Sequence, residues 1–594
     1  MPEAVHIPTS VKAPDQLRLH YQVSCPNPSN HVFEVMLHLP SWTDSILNLK
    51  MPVWTPGSYL VREYAKQLQD FIATDGDGQP LRWQKCQKNH WQIQTAQTNA
   101  VTVQYRIFAN ELTVRTNHLD LTHGYFNPAA VCLYIPGWEQ TPIQITVQPP
   151  TADWHITTPL PPAPGQPHTF LAQDFDTLVD SPFEMGTHAC YDFEVEGKPH
   201  QWAIWGRGNA KPERIIADTQ KIIQTEAAIF GGLPYERYWF LLHLANGYGG
   251  LEHRNCCSLI YPRFKFNDSE GYARFMSLVA HEFFHLWNVK RIRPKALETF
   301  DYDQENYIDC LWFCEGVTSY YDLAIPMRAG IYDAKTFLKF LSESITRLQT
   351  TPGRKIQSLS ESSFDTWIKL YRPDANSKNS QISYYLKGEL VALLLDLLIR
   401  QRHHNRRSLD DVMRQMWEQF GKTERGFQPA ELKAIVEAVA GTDLSAFWRF
   451  YIEGTDELPF DEYLHPFGLA VKAEGGENNP PYWGLDIKSE GGVALIKQVL
   501  VNSPAQQAGL EPGDELVAIA GFRVTAEQIN DRLRDYQAGQ SLEVTVFHQD
   551  ELRTTPVILA PPQPNRYILQ PVTHPTATQV AACRAWLGVD LAHL

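Results

Sequence analysis

The period of the hydrophobic pattern changes twice along the chain. Up to residue 195, apolar and aromatic positions alternate with polar ones in short runs such as 17–23, 32–39 and 101–107, and Pro, Gly and Asn separate the runs. That pattern predicts a β domain, a sandwich or saddle, over residues 1–195. Two of its turns, Thr55-Pro56-Gly57-Ser58-Tyr59 and Thr122-His123-Gly124-Tyr125-Phe126-Asn127, are rich in polar and aromatic groups. They read equally well as ordinary turn chemistry or as loops lent to the rim of a cleft. Over 196–465 helical spacing takes over, with an amphipathic segment at 212–230 and one strand candidate at 238–244. Further helices are predicted through 277–287, bounded by Pro294, through 307–316, and at 383–400, 409–420 and 429–439. Loops are expected at 351–353 and 372–379. Short strands return over 466–560, and a proline-rich turn at 561–564 opens a C-terminal tail, 561–594, that contains Trp586 and shows no pattern of its own. The expected fold is therefore a multidomain α+β chain.

Composition narrows the partners. The formal net charge of −15 argues against nucleic acid and anionic membrane surfaces. The most apolar run, 391–399, is too short to span a bilayer and contains Asp396. The start, Met1 to Pro8, lacks a basic segment followed by an apolar one, and nine scattered cysteines fit a reducing compartment, so a cytoplasmic location is expected. Cys256-Cys257 and the Cys310/Cys314 pair fit buried packing better than a structural metal site, which needs two well-spaced pairs.

The chemistry centres on His281-Glu282-Phe283-Phe284-His285. Four positions apart on a helix, the two imidazoles project from one face and can share a zinc ion, with Glu282 beside them as a base. Phe275, Leu278, Val279 and Leu286 form an adjoining stripe that anchors such a helix. A hydrolytic site needs a third ligand. Glu315, in Leu311-Trp312-Phe313-Cys314-Glu315-Gly316, is a carboxylate among apolar neighbours, where a lone charge is costly without a cation; zinc and a basic side chain are the two candidates.

These segments, together with Gly249-Gly250-Leu251-Glu252-His253 and Tyr385-Leu386-Lys387-Gly388, resemble the gluzincin aminopeptidases. The continuation Trp287-Asn288-Val289-Lys290-Arg291-Ile292-Arg293-Pro294 narrows the resemblance to the glycyl aminopeptidase family. So do His253 in place of an asparagine and the long gap between His285 and Glu315. The segment from Asn502 to Gly521, with Ser503-Pro504-Ala505 and Glu511-Pro512-Gly513-Asp514, resembles PDZ domains attached to proteases, in which Gly484 and Leu485 would open a carboxylate-binding loop.

The resemblance implies a β N-terminal domain, a thermolysin-like, mostly α catalytic domain over 196–465 and a PDZ domain over 466–560. It implies one Zn2+ per chain on His281, His285 and Glu315, Glu282 as general base and Tyr385 as oxyanion donor, its neighbour Tyr384 facing elsewhere. Gly249, Gly250, Leu251 and Glu252 would bind substrate, the Glu252 carboxylate pairing with a free α-amine. The implied activity is removal of small N-terminal residues, such as Gly or Ala, from peptides with a free N-terminus, and the PDZ domain would take peptide C-termini. A thermolysin-like endopeptidase and a peptide-binding scaffold with an idle peptidase domain are the alternatives.

Overall fold

The alternating front of the chain folds into sheets, as its period-2 pattern requires. The structure, a computed structural model, describes residues 19–476 and 479–594; Leu17, Arg18 and the stretch from Met1 to Pro8 lie outside them. A six-stranded sheet runs in the order Thr169–Ala172, Ile143–Gln148, Leu19–Ser24, Val32–Leu39, Val101–Phe108, Leu68–Asp75. Burial alternates along Val101–Phe108, the side chains of one face entering a core that holds Tyr21, Trp91 and Tyr105. Buried tyrosine hydroxyls in that core find backbone acceptors: Tyr105 donates to the Val131 carbonyl at 2.9 Å. A four-stranded sheet joins His155–Thr157, Phe183–Gly186, His123–Phe126 and His118–Leu119.

A five-stranded sheet follows, ordered Ala189–Val195, Lys198–Trp205, Tyr238–Leu244, Cys256–Tyr261, Gly249–Glu252. Its three middle strands are parallel, and two of them, Tyr-Trp-Phe-Leu-Leu-His-Leu and Cys-Cys-Ser-Leu-Ile-Tyr, are almost wholly buried, as parallel strands covered on both faces must be. The Pro212–Phe230 helix makes the crossover between the first two of these strands. The expected division at 195/196 falls at the two-residue turn of the hairpin Ala189–Val195/Lys198–Trp205, where Glu196 and Gly197 both take positive φ.

By contacts the chain divides into two units, one running through Asn306 and including Glu424–Gly426, the other Tyr307–Thr423 with Phe427–Leu594. The second unit is mostly helical. Helices at Tyr384–Arg402, Leu409–Met416 and Pro429–Ala440 lie where the pattern put them. The Ala334–Gln349 helix, which the pattern did not predict, buries Phe337, Leu341, Ile345 and Leu348 along one stripe. Its hydroxyls hold the tail: Thr346 bonds both the N–H and the carbonyl of Tyr567, and Ser342 accepts from the Leu569 N–H. The tail strand Arg566–Pro571 pairs with Leu469–Glu474, and Trp586 packs edge-on against Phe337 and Phe467. Between those paired strands lies a small β body ordered Leu485–Glu490, Val493–Val499, Glu515–Ile519, Ser541–His548, Glu551–Ile558, with its own core around Ile496, Leu516, Leu542 and Val544.

Two predicted boundaries need correction. The helix bearing the histidines spans Ser269–Phe284 and ends well before Pro294. Side chains intervene earlier: His285 Nδ1 engages the Asn288 carbonyl at 2.7 Å and Arg291 donates to the Leu286 carbonyl at 2.8 Å, taking carbonyls that a continuing helix would use. The helix expected over 307–316 instead begins at Leu311, with a π-helical turn at Trp312–Val317 leading into Thr318–Arg328.

Candidate active site

In the first unit the site is built where the Ser269–Phe284 helix meets the edge strand Gly249–Glu252. Asp268 caps the helix by accepting from the Glu270 and Gly271 N–H groups, and Phe275, Met276, Val279, Phe283 and Phe284 bury its apolar face. That fixes the rings of His281 and His285, whose centroids lie 4.6 Å apart and nearly perpendicular. His285 Nδ1 is held by the Asn288 carbonyl, so Nε2 is the nitrogen that can face a metal, an orientation typical of ligating histidines. The residues Trp287 to Pro294 are thereby explained as an anchor. Arg291 is buried and also donates to the carbonyls of Arg254 and Pro234, while Lys290 pairs with Asp180 at 2.6 Å.

Glu282, 4% exposed, sits under the edge strand. A Cβ on Gly250 would collide with the Glu282 carboxylate, so only glycine allows the strand this close. Arg115, from the front of the chain, donates to the Gly250 carbonyl at 2.8 Å. Glu252, Glu282 and His285 each place a donor atom within 4.8 Å of the others. Among the described residues, Glu252 Oε1 and Glu282 Oε2 are buried oxygens without a hydrogen-bond partner. Burial pushes the Glu282 carboxyl up to about 7, with Glu252 adding to the rise and His281 and His285 opposing it.

The turn at Thr55–Tyr59 does both things its composition allowed. Its Ser58 N–H bonds the Thr55 carbonyl around Gly57, which has φ +88°, and a Cβ there would come within 2.5 Å of Glu252 Oε1. A cavity of about 380 Å³ lies beside it, walled by Gly57, Tyr59, Asp180, Glu252 and Lys290; His281, Glu282 and His285 do not line it. His253 bonds Asp180 at 3.2 Å, so the residue after Glu252 stabilises this wall. Cys256 and Cys257 are buried in their strand, all nine cysteines are free, and among the described residues no group able to hold a metal contains two cysteines.

In the second unit, Glu315 is buried on the π-helical turn, a rare geometry that recurs at functional sites. The turn packs directly on the Tyr384–Arg402 helix through two glycines: a Cβ on Gly316 would meet Gly388 Cα at 2.5 Å, and one on Gly388 would meet the Trp312 carbonyl at 2.8 Å. This contact brings Tyr385 beside Glu315. Burial, and then the Glu315 charge, raise the Tyr385 hydroxyl well above its ordinary range, so it stays a proton donor at neutral pH. Tyr384 does not face elsewhere: its ring stacks on that of Tyr385 at 4.7 Å, because both lie in the first turn, and the hydroxyls of both reach Tyr371. Sequence reasoning missed Arg115, Asn288 as an orienting group, and Tyr371; only Asn288 had a signal, its place in the Trp287 to Pro294 run.

A histidine pair on one helical turn, buried carboxylates and a strand edge define a metallopeptidase-type site. The Peptidase M61 N-terminal domain model matches residues 20–187, and the M61 glycyl aminopeptidase model matches residues 274–391. An aminopeptidase N family protein from Idiomarina loihiensis has a crystal structure that superposes with a TM-score of 0.89 at 32% identity, over 96% of this chain and 100% of that one. Far more distant are an M1 zinc metallopeptidase from Deinococcus radiodurans (TM-score 0.45, 14% identity, 74% of this chain and 94% of that one) and yeast LTA4 hydrolase with Bestatin (0.45, 12%, 77% and 73%). No curated protein matches the sequence. The chain carries M61 N-terminal and M61 glycyl aminopeptidase domains and belongs to the aminopeptidase N family, and it is a metallo-aminopeptidase. No helix among its described residues is long and apolar enough to cross a membrane.

Proposed function

We propose that the chain is a zinc aminopeptidase that removes N-terminal residues, small ones such as glycine or alanine preferred, from peptides with a free N-terminus. His281, His285 and Glu315 would hold one catalytic Zn2+, and the residues fit that role: two imidazoles on one helical turn, one with its ring orientation fixed through Nδ1, and a carboxylate buried on a π turn. When bound, zinc supplies a Lewis acid and a water acidified enough to attack at neutral pH. Glu282 takes the proton of the attacking water and passes it to the leaving amine. Tyr385 donates a hydrogen bond from its hydroxyl to the oxyanion that develops on the scissile carbonyl. Glu252 pairs with the substrate's α-ammonium, and the Gly249–Glu252 edge aligns the peptide as an added strand.

The observation that carries this reading is the placement of Glu252. A second buried carboxylate beside the base, with an oxygen lacking a protein partner, suits a site that must receive a cation. The test is a panel of amino-acyl amides and N-acetylated peptides, assayed with and without a chelator. Chelator-sensitive cleavage of the free-amine substrates alone is expected. Equal cleavage of acetylated peptides would make the enzyme an endopeptidase of the thermolysin type.

The proposed domains are a β domain over 1–195, whose end meets the hairpin turn at 196–197, a thermolysin-like catalytic domain over 196–465, a PDZ domain over 466–560 and a tail over 561–594. The PDZ reading is supported by the edge position of Leu485–Glu490 and by Gly484, whose φ of +84° and contact with Ser503 exclude a side chain. Peptide C-termini would add to that edge. The nine free cysteines support a cytoplasmic location.

A further inference from the structure

Away from the catalytic residues, the first unit buries a second set of histidines around a carboxylate. His123 lies on His123–Phe126, Glu184 on the adjacent strand Phe183–Gly186, and His243 on Tyr238–Leu244 of the five-stranded sheet. All three are at most 1% exposed. Their donor atoms lie within 4.8 Å of one another, with His243 Nε2 2.9 Å from Glu184 Oε2 and His123 Nε2 3.2 Å from Glu184 Oε1.

The two contacts differ in kind. The His243 contact is an aligned hydrogen bond. The His123 contact has a suitable length but the wrong direction, so His123 Nε2 and Glu184 Oε1 both remain buried without a hydrogen-bond partner, as does His123 Nδ1. A ring nitrogen and a carboxylate oxygen that lie side by side without bonding each other, within 4.8 Å of a third donor, are what a shared cation produces. The rings are held in place by packing: His123 stacks on Trp205 at 4.0 Å, and Tyr125 meets His243 edge-on at 4.8 Å. A fourth donor is close, since His188 Nδ1 lies 3.8 Å from Glu184 Oε1 and is also partnerless, while its Nε2 is fixed by Thr157 at 2.9 Å.

We propose that His123, Glu184 and His243, with His188 as the fourth donor, form a second, structural zinc site that ties the four-stranded sheet to the five-stranded sheet carrying the Gly249–Glu252 edge. Two to three imidazoles and one carboxylate suit Zn2+ better than Ca2+ or Mg2+, which take oxygen ligands. The site is closed, with no exposed position for a substrate, so its role is to hold the sheets together rather than to react. It raises the expected zinc content from one to two per chain, and it stands whether or not the catalytic assignment does.

The full-length enzyme, expressed with added zinc, tests this by crystallography on either side of the zinc absorption edge. An anomalous peak bounded by His123, Glu184 and His243 is expected. A water-sized peak there without anomalous signal would overturn the site, as would the absence of any peak. In parallel, metal analysis of His243→Gln should find one zinc fewer per chain than wild type, whereas Glu315→Ala, aimed at the catalytic ion, should retain the second. Equal zinc in His243→Gln and wild type would also overturn it. If His243→Gln fails to fold, the anomalous map of the unmodified enzyme decides alone.

Discussion

Glu282 and Glu184 are both buried in the same unit, each beside two histidines, yet their acidities move in opposite directions. Burial pushes both up. At Glu184 the charges of His123 and His243, with the hydrogen bond from His243, more than offset burial and hold the carboxyl well below its usual range. At Glu282 the histidine charges are weaker than burial, and the neighbouring carboxylate of Glu252 works against them. The number of histidines is therefore a poor guide to a buried carboxylate's state. What separates them is that a like charge, Glu252, shares the space at Glu282 and, among the described residues, none does at Glu184.

The strongest way to break this comparison is to remove each carboxylate's charge. Glu282→Gln should leave the zinc bound and lower turnover by roughly 10²–10⁴-fold, the usual worth of a general base. A zinc-loaded variant with retained turnover would remove Glu282 from the mechanism. Glu184→Gln should instead act on thermal unfolding, with the midpoint falling while the remaining folded enzyme keeps most of its specific activity. Substituting Glu252 by Gln removes the like charge. It should cost about 10- to 100-fold in kcat/KM on free-amine substrates, from a charge-assisted contact of about 1.5–3 kcal/mol, with zinc content unchanged. Equal losses on acetylated peptides would make Glu252 a structural residue.

The two centres also differ in how far the sequence disclosed them. His281, Glu282 and His285 fall within one helical turn, so spacing alone puts them together, and the flanking apolar stripe says that the turn is anchored. His123, Glu184 and His243 are scattered over three strands of two sheets, and nothing local in the chain joins them. The same limit explains the misplaced boundaries. Pro294 looked like the stop for the histidine helix, but Asn288 and Arg291 end it through contacts with His285 and Leu286 that depend on a turn not visible as a pattern. The π turn at Glu315 follows from Gly316 lying on Gly388, residues far apart in the chain. The β front and the Pro212–Phe230 helix were legible because a single period ran through each of them, and the Tyr238–Leu244 strand because it is one short, nearly continuous apolar run.

That glycine contact gives a smaller effect that probes the second unit. Gly388→Ala forces a Cβ to 2.8 Å from the Trp312 carbonyl and 2.9 Å from Gly316 Cα, backbone atoms that cannot move aside singly. Overpacking of this sort costs about 1–3 kcal/mol. The lowered unfolding midpoint should come with a loss of kcat larger than stability alone explains, because Tyr385 moves with its helix. An unchanged kcat in the folded variant would separate Tyr385 from the reaction.

A third buried carboxylate, Glu389, sharpens the comparison because no histidine faces it. It lies on the Tyr384–Arg402 helix at 5% exposure, where burial and then the Asp322 charge raise it to about 8, with Ser344 and Arg347 opposing. Its ordinary value is 4.5, so between about pH 4.5 and 8 the folded chain keeps a proton that the unfolded chain has released. Stability from this group is therefore fully present below the unfolded value and is lost as pH rises through the folded one. Glu389→Gln keeps the shape and removes the titration, so the variant should match wild type near pH 4.5 and unfold at a higher temperature than wild type near pH 8. The gap corresponds to roughly 2–4 kcal/mol, given about 1.4 kcal/mol for each tenfold change in acidity and some relaxation around the ionised group. Unfolding midpoints that differ by the same amount at both pH values would mean that Glu389 is ionised in the folded enzyme, held by Arg347 as Glu184 is held by its histidines.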